Sequence, residues 1–321
     1  MGQNNYKKLF LGVASLYFCA EVIAASPADK YPESLLYSKP VKVAEDVWSS
    51  IGATQYYSYE NAGHNNNLSF VIGEKYILVV NGGASYLLAK ALHDEIKQIS
   101  DLPVKYVVDE NGQSHAILGN GYWKELGAKI IAHEGAIEEI DEKGLNGLDT
   151  LKVILKERAN GTELVAIDET FDERMELDLG GLKVELLHLG PAHSPGDITV
   201  HIPDRQVIIA GDMAFHQRML PIFPDTDTAS WLETWHESFA PLSKGKTIIP
   251  GHGEATDYAT VDKWTRGYLE YLRSKVAALL EEGGALEDAY EIDQSPYSHL
   301  ETSDLLAAKN AGRVFEAMEF E

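Results

Sequence analysis

The chain has 321 residues, 45% of them hydrophobic, enough to bury a core and too many for a wholly disordered polypeptide. A formal net charge of −23 sets the surface against nucleic acid and anionic membrane, and reads as a solubilising coat rather than a docking face. The single cysteine, Cys19, lies in the N-terminal segment, so the remainder has no disulfide and leaves His, Asp and Glu as its strong metal ligands.

In chain order, Lys7 and Lys8 precede an apolar run from Leu9 to Ala20 and then small residues through Ser26. This pattern predicts a secretory signal peptide over residues 1–25, cleaved near Ala24 or Ala25, and hence a secreted, periplasmic protein. The apolar run falls short of the ~20 residues a membrane span needs, so no stable membrane anchor is expected after cleavage. Bulky Tyr17 and Phe18 before Cys19 argue against lipid attachment there. Residues 26–40 form a polar, proline-bearing lead-in.

Leu68–Ile72 and Tyr76–Val80 read as a hairpin around Gly73-Glu74-Lys75, and Asn81-Gly82-Gly83 breaks the second strand. Tyr86–Ile99 places Leu87, Leu88, Ala91, Leu92 and Ile96 at helical spacing. Val104–Val108 is a strand from which the loop DENGQSHA departs, and Lys129–Ala132 is another. A mainly helical stretch, 137–156, is expected to be interrupted at Gly144–Gly147. Further on, Leu182–Leu189, Ile198–Ile202, Gln206–Ala210 and Thr247–Ile249 read as strands and Trp231–Phe239 as a helix. Two αβ halves follow from this order, which alternation alone would fit either to facing sheets or to one doubly wound sheet. Val261–Glu282 and Ser303–Phe320 are amphipathic helices, giving units at 41–260 and 261–321.

Four strings carry polar residues at strand ends, where loops converge: Val104–Asn120, Gly190–Asp197, Ile209–Asp212 and Pro250–Gly253. Together, in this order, they resemble the metallo-β-lactamase fold superfamily. The first resembles V-x-Y-V-V-N-T-H-x-H-x-D-H-x-x-G-N, the second G-x-x-H-T-x-G-D, the third a strand ending in G-D and the last P-G-H-G. The resemblance implies an α/β four-layer αβ/βα sandwich with a C-terminal helical extension, and membership of a broad metal-dependent hydrolase branch.

It also implies a remodelled site. Asn111 and Gln113 stand where the first two histidines belong, His115 where an aspartate belongs and Ala116 where a histidine belongs. By that correspondence the first metal position would retain only His193, while the second would retain His115 and His252 with Asp212 shared. One divalent ion, zinc by preference, is therefore expected on His115, Asp212 and His252, with Asp212 and His193 as candidate catalytic residues and His193 freed to move protons. Asn81, where the family usually has aspartate, together with Asp197, Asn111 and Gln113, would surround the ligands, and His64 would stand near the pocket mouth. His133 and His188 read as structural, and Phe215–Phe223 as core or pocket wall. The implied activity is hydrolysis of a small ester, lactone, thioester or phosphoester by metal-activated water. The competing reading is a non-catalytic binding protein that kept fold and pocket but lost the metal chemistry.

Overall fold

Short apolar runs punctuated by turn residues pair into two sheets, and helices with one apolar face cover them. A computed structural model describes Met1 and residues 34–321; the expected signal peptide and most of the lead-in lie outside the described residues. The first sheet follows chain order: β1 (Val41–Ala44), β2 (Val47–Ser50), β3 (Leu68–Ile72), β4 (Ile77–Val80), β5 (Val104–Val108), β6 (Lys129–His133) and β7 (Glu169–Phe171). It is antiparallel as far as β4 and parallel from there on.

The second sheet comprises β8 (Arg174–Asp178), β9 (Lys183–Leu187), β10 (Thr199–Ile202), β11 (Val207–Phe215), β12 (Thr247–His252) and β13 (Thr256–Asp257). Its order is β13-β12-β11-β10-β9-β8, with β11 and β12 parallel.

The helices of the first half are α1 (Tyr86–Ile99), α2 (Ser114–Ile117), α3 (Asn120–Glu125) and α4 (Glu134–Leu155). Those of the second are α5 (Thr228–Thr234), α6 (Ala240–Ser243), α7 (Tyr258–Val261), α8 (Gly267–Glu281), α9 (Leu286–Ala289) and α10 (Ser303–Met318). Three apolar layers hold the molecule together. Val71, Val108, Val184, Val200 and Ile249 meet between the sheets; Phe70, Leu88, Trp123 and Leu151 lie under the helices of the first sheet; Phe215, Trp231, Tyr268 and Phe315 lie under those of the second. Three cores between four layers is the expected αβ/βα sandwich, and the C-terminal helices complete its outer layer.

Local chemistry explains most element limits. Ser85 caps α1 by accepting from the Leu88 amide, and Asp227 caps α5 by accepting from Ala229 and Ser230. The predicted interruption of α4 is absent: the helix runs unbroken from Glu134 to Leu155. Gly144 and Gly147 serve packing instead. A Cβ on Gly144 would stand 3.0 Å from Leu164, and one on Gly147 would stand 2.2 Å from Ser114 Oγ. The helix thus lies close to the loop that carries His115.

Segment 216–222, after β11, is built from residues far downstream. Met219 N–H donates to Glu301 O, Glu301 N–H donates to Gln217 O, and buried Asn310 accepts from Ile222 N–H while donating to Leu220 O. Phe215, Met219 and Leu220 consequently sit in the core, whereas Phe223 lines the cavity described below.

Candidate metal centre

The carboxyl ends of β4, β5 and β12 and the far end of β11 meet at one rim of the sandwich, the usual place for a site in parallel α/β sheets. Asn81, just past β4, adopts φ = 69°, a left-handed conformation that asparagine tolerates better than most residues. In that pose its Oδ1 accepts from the Glu110 amide at 3.1 Å and its own amide donates to Val108 O. Asn81 therefore fixes where Glu110 leaves the strand. The next loop is closed by buried Asp109, which accepts from Asn120 Nδ2 at 2.6 Å; burial pushes its carboxyl up to about 7. In β11 the register against β12 shifts around Gly211, whose φ of 58° turns Asp212 into the site.

Asp212 is the hub. Its Oδ1 lies 3.4 Å from His252 Nε2, and its Oδ2 lies 3.7 Å from His115 Nε2 and 3.8 Å from His193 Nε2. Glu110 Oε1 lies 3.1 Å from His115 Nε2, and one ligand atom from each of Glu110, His115 and Asp212 falls within 4.8 Å of the others. Glu110 was not among the residues singled out from the sequence. It occupies a position where the resembling motif has no ligand, and only the fold reveals that its carboxylate turns inward.

The electrostatics follow from burial with few counter-charges. Burial first, then Glu110, pushes Asp212 up to about 7 against the pull of His115 and Arg218. Burial draws the His115 imidazole down, but its bond to Glu110 and the charge of Asp212 outweigh this, and the group lies above its ordinary range. Burial, aided by His115, takes His193 down to about 3, and burial with Arg218 beside it holds His252 well below the usual value. His193 is thus a neutral imidazole near neutral pH, the form that can ligate a metal.

Several buried atoms fit a cation. His252 Nδ1 lies 2.5 Å from Asn65 O, a contact that needs the proton on Nδ1 and leaves the lone pair of Nε2 facing Asp212. Arg218 Nη1 also approaches Nδ1, at 3.1 Å, but the carbonyl is nearer and sets the tautomer. Asp212 Oδ1 and Glu110 Oε2 are buried without a hydrogen-bond partner, so each keeps lone pairs available to a cation. Carboxylate and imidazole ligands of this kind suit zinc and related divalent ions.

The other predicted residues are arranged differently. Asn111 donates to Asp197 Oδ1 at 3.1 Å and accepts from the Gln113 amide, while Asp197 accepts from Ser194 N–H at 2.5 Å; burial and then Asp212 push Asp197 well up. The Asn111 side chain is thus taken up by Asp197 and the Gln113 backbone. Gln113 lines the neighbouring cavity, and its Nε2 has no partner. His64 is not at the pocket mouth. It is fully buried behind the first hairpin, where Nδ1 accepts from Tyr37 N–H and Nε2 lies 3.2 Å from Ser50 O. Next to it, Asn67 donates to Pro250 O and Gly253 O, tying the first half of the chain to the turn that presents His252. His133 accepts from the Gly135 amide at the start of α4 and stacks on His188, away from the hub. Arg218, also missed from the sequence, is buried beside Tyr56 and His252.

Residues 114–252 match the Metallo-beta-lactamase superfamily. Metallo-beta-lactamase type 2 of Bacteroides fragilis is 20% identical over 234 residues, covering 70% of this chain and 86% of that protein. A probable metallo-hydrolase of Bacillus subtilis (strain 168) is 28% identical over 186 residues, covering 48% and 82%. Of solved structures, a metallo-beta-lactamase from Pontibacter korlensis has a TM-score of 0.59 at 18% identity, covering 72% of this chain and 98% of its own. A stereoselective inverting sec-alkylsulfatase from Pseudomonas sp. reaches 0.65 at 14% identity and covers 91% of this chain, which spans about half (51%) of that enzyme.

Proposed function

Since residues 114–252 belong to the metallo-beta-lactamase superfamily, we propose that this chain is an exported, periplasmic hydrolase with a single divalent ion, zinc by preference. Its substrate is a small ester, lactone, thioester or phosphoester. Glu110, His115 and Asp212 would hold the ion, with His252 and His193 on either side of Asp212. When bound, the ion supplies Lewis acidity, lowering the pKa of a water nucleophile and polarising the scissile group.

The observation that carries the single-ion reading is the contrast between two halves of the site. Asn111 and Asp197 bond to each other, and Asn111 also accepts from the backbone amide of Gln113, whereas Glu110 and Asp212 keep unpartnered oxygens among imidazoles. The remaining groups have roles of their own. Asn81 holds Glu110 in place through its amide, Asn65 fixes the His252 tautomer, and the free amide of Gln113 is a donor for a substrate carbonyl or phosphoryl oxygen.

Elemental analysis of protein purified without added metal tests this reading: about one equivalent of a transition metal is expected, together with chelator-sensitive turnover of an ester or lactone panel. Two equivalents would refute the single-ion site. One observation favours the alternative, a metal-free binding protein: protonated His115 and Arg218 together can balance Glu110 and Asp212 without an ion. Negligible metal with no turnover would establish that reading instead.

A further inference from the structure

Beside His115 opens a cavity of about 620 Å³, room for a small organic molecule. Its charged lining is one-sided. Glu139 and Glu142 from α4 and Asp225 from the segment before α5 face a single ammonium, Lys143. That ammonium is committed: Lys143 Nζ bonds Asp225 and lies 4.0 Å from Glu139 Oε1. Arg218, the cation beside the metal centre, is 4% exposed and does not line the cavity. Away from His115 and the candidate metal centre at its inner end, an anion entering here would meet carboxylates without a free counter-charge.

A second observation points to a hydrogen-bond donor. Asn65, itself 4% exposed, lines the same cavity, and its Oδ1 has no hydrogen-bond partner. Tyr57 and Phe223 add aromatic surface to the wall, a further attraction for a cationic group. We propose that the cavity selects molecules whose non-reacting part carries a cationic nitrogen, such as a substituted ammonium, and discriminates against anionic ones. This rests on the reading of the cavity as the substrate pocket of the proposed hydrolase.

Calorimetry on the full chain with butylammonium, which keeps its N–H donors, and butanesulfonate, equal in chain length and inert to hydrolysis, tests it without requiring turnover. The ammonium is expected to bind at least tenfold more tightly. Glu142 is exposed on α4, so Glu142→Gln should leave the fold intact and weaken ammonium binding at least threefold, while Glu142→Lys should abolish the preference. Equal affinities, tighter sulfonate binding, no binding of either probe, or a preference indifferent to Glu142→Lys would overturn the proposal.

Three 4-nitrophenyl esters ending in ammonium, methyl or carboxylate separate the two readings. Charge-selective binding with no turnover of any ester overturns the hydrolase and leaves the cationic pocket standing. Turnover at equal kcat/KM on all three does the reverse.

Discussion

Glu110→Gln should weaken metal binding while relieving strain in the metal-free protein, and these opposite signs make it the most informative perturbation. The carboxylates of Glu110 and Asp212 have ligand atoms within 4.8 Å, where two like charges repel by about 3.5 kcal/mol at an effective dielectric of ~20. His115 offsets part of this by bonding Glu110 at 3.1 Å, so the metal-free variant should be as stable as the parent or more stable by about 1–2 kcal/mol. Losing one anionic ligand should raise the Kd for zinc at least tenfold, about 1.4 kcal/mol. Urea unfolding reads both effects. With free zinc at ~100 times the parent Kd, the parent should gain about 2.7 kcal/mol and Glu110→Gln no more than about 1.4 kcal/mol. Equal zinc-dependent gains, accompanied by a less stable metal-free variant, would make Glu110 a structural acceptor for His115 and remove it from the ligand set.

Asn310→Ala should cost about 3 kcal/mol or more in urea unfolding, since it strands the buried Ile222 N–H and Leu220 C=O that Asn310 satisfies. Gly119→Ala places a Cβ 2.1 Å from Gly82 O, forcing the loop of Glu110 and His115 away from Asn81; a loss of about 2–3 kcal/mol and a fall in metal content are expected. Burial holds His64 down at about 4, so between pH 6.5 and 4 the unfolded chain takes up a proton that the folded chain refuses. Stability from this residue is complete above pH 6.5 and lost as pH falls towards 4. The stability gap between parent and His64→Gln should therefore shift in the variant's favour by about 2.5 kcal/mol between pH 7.5 and pH 4.5.

Where one period dominates and turn residues punctuate it, sequence and structure agree closely. The hairpin strands and the whole of α1 lie where turn residues and apolar spacing put them. The sandwich itself was legible only through the four strand-end strings taken in order, because alternation does not distinguish facing sheets from one wound sheet. The continuity of α4 was not legible: a mid-helix glycine costs only about 1 kcal/mol against alanine, and the close approach of Leu164 and Ser114 outweighs it. β7 and β8 escaped notice because Glu169–Phe171 is only three residues long and three of the five residues of Arg174–Asp178 are charged, leaving little apolar signal. In the site, His115, Asp212, His193 and His252 were singled out from the sequence, and the structure gathers them around one carboxylate. Glu110 escaped because its direction depends on the hydrogen bond its backbone N–H donates to the distant Asn81, and sequence spacing carries no trace of that contact.

The anchoring of segment 216–222 by Glu301 and Asn310 makes the pocket's Phe223 wall an indirect product of a region that contributes none of its lining. Divergence in α10 would therefore retune selectivity without touching a ligand. A chimera that inherits this helix from a relative should acquire an altered pocket mouth along with it, even with every residue of the metal centre unchanged.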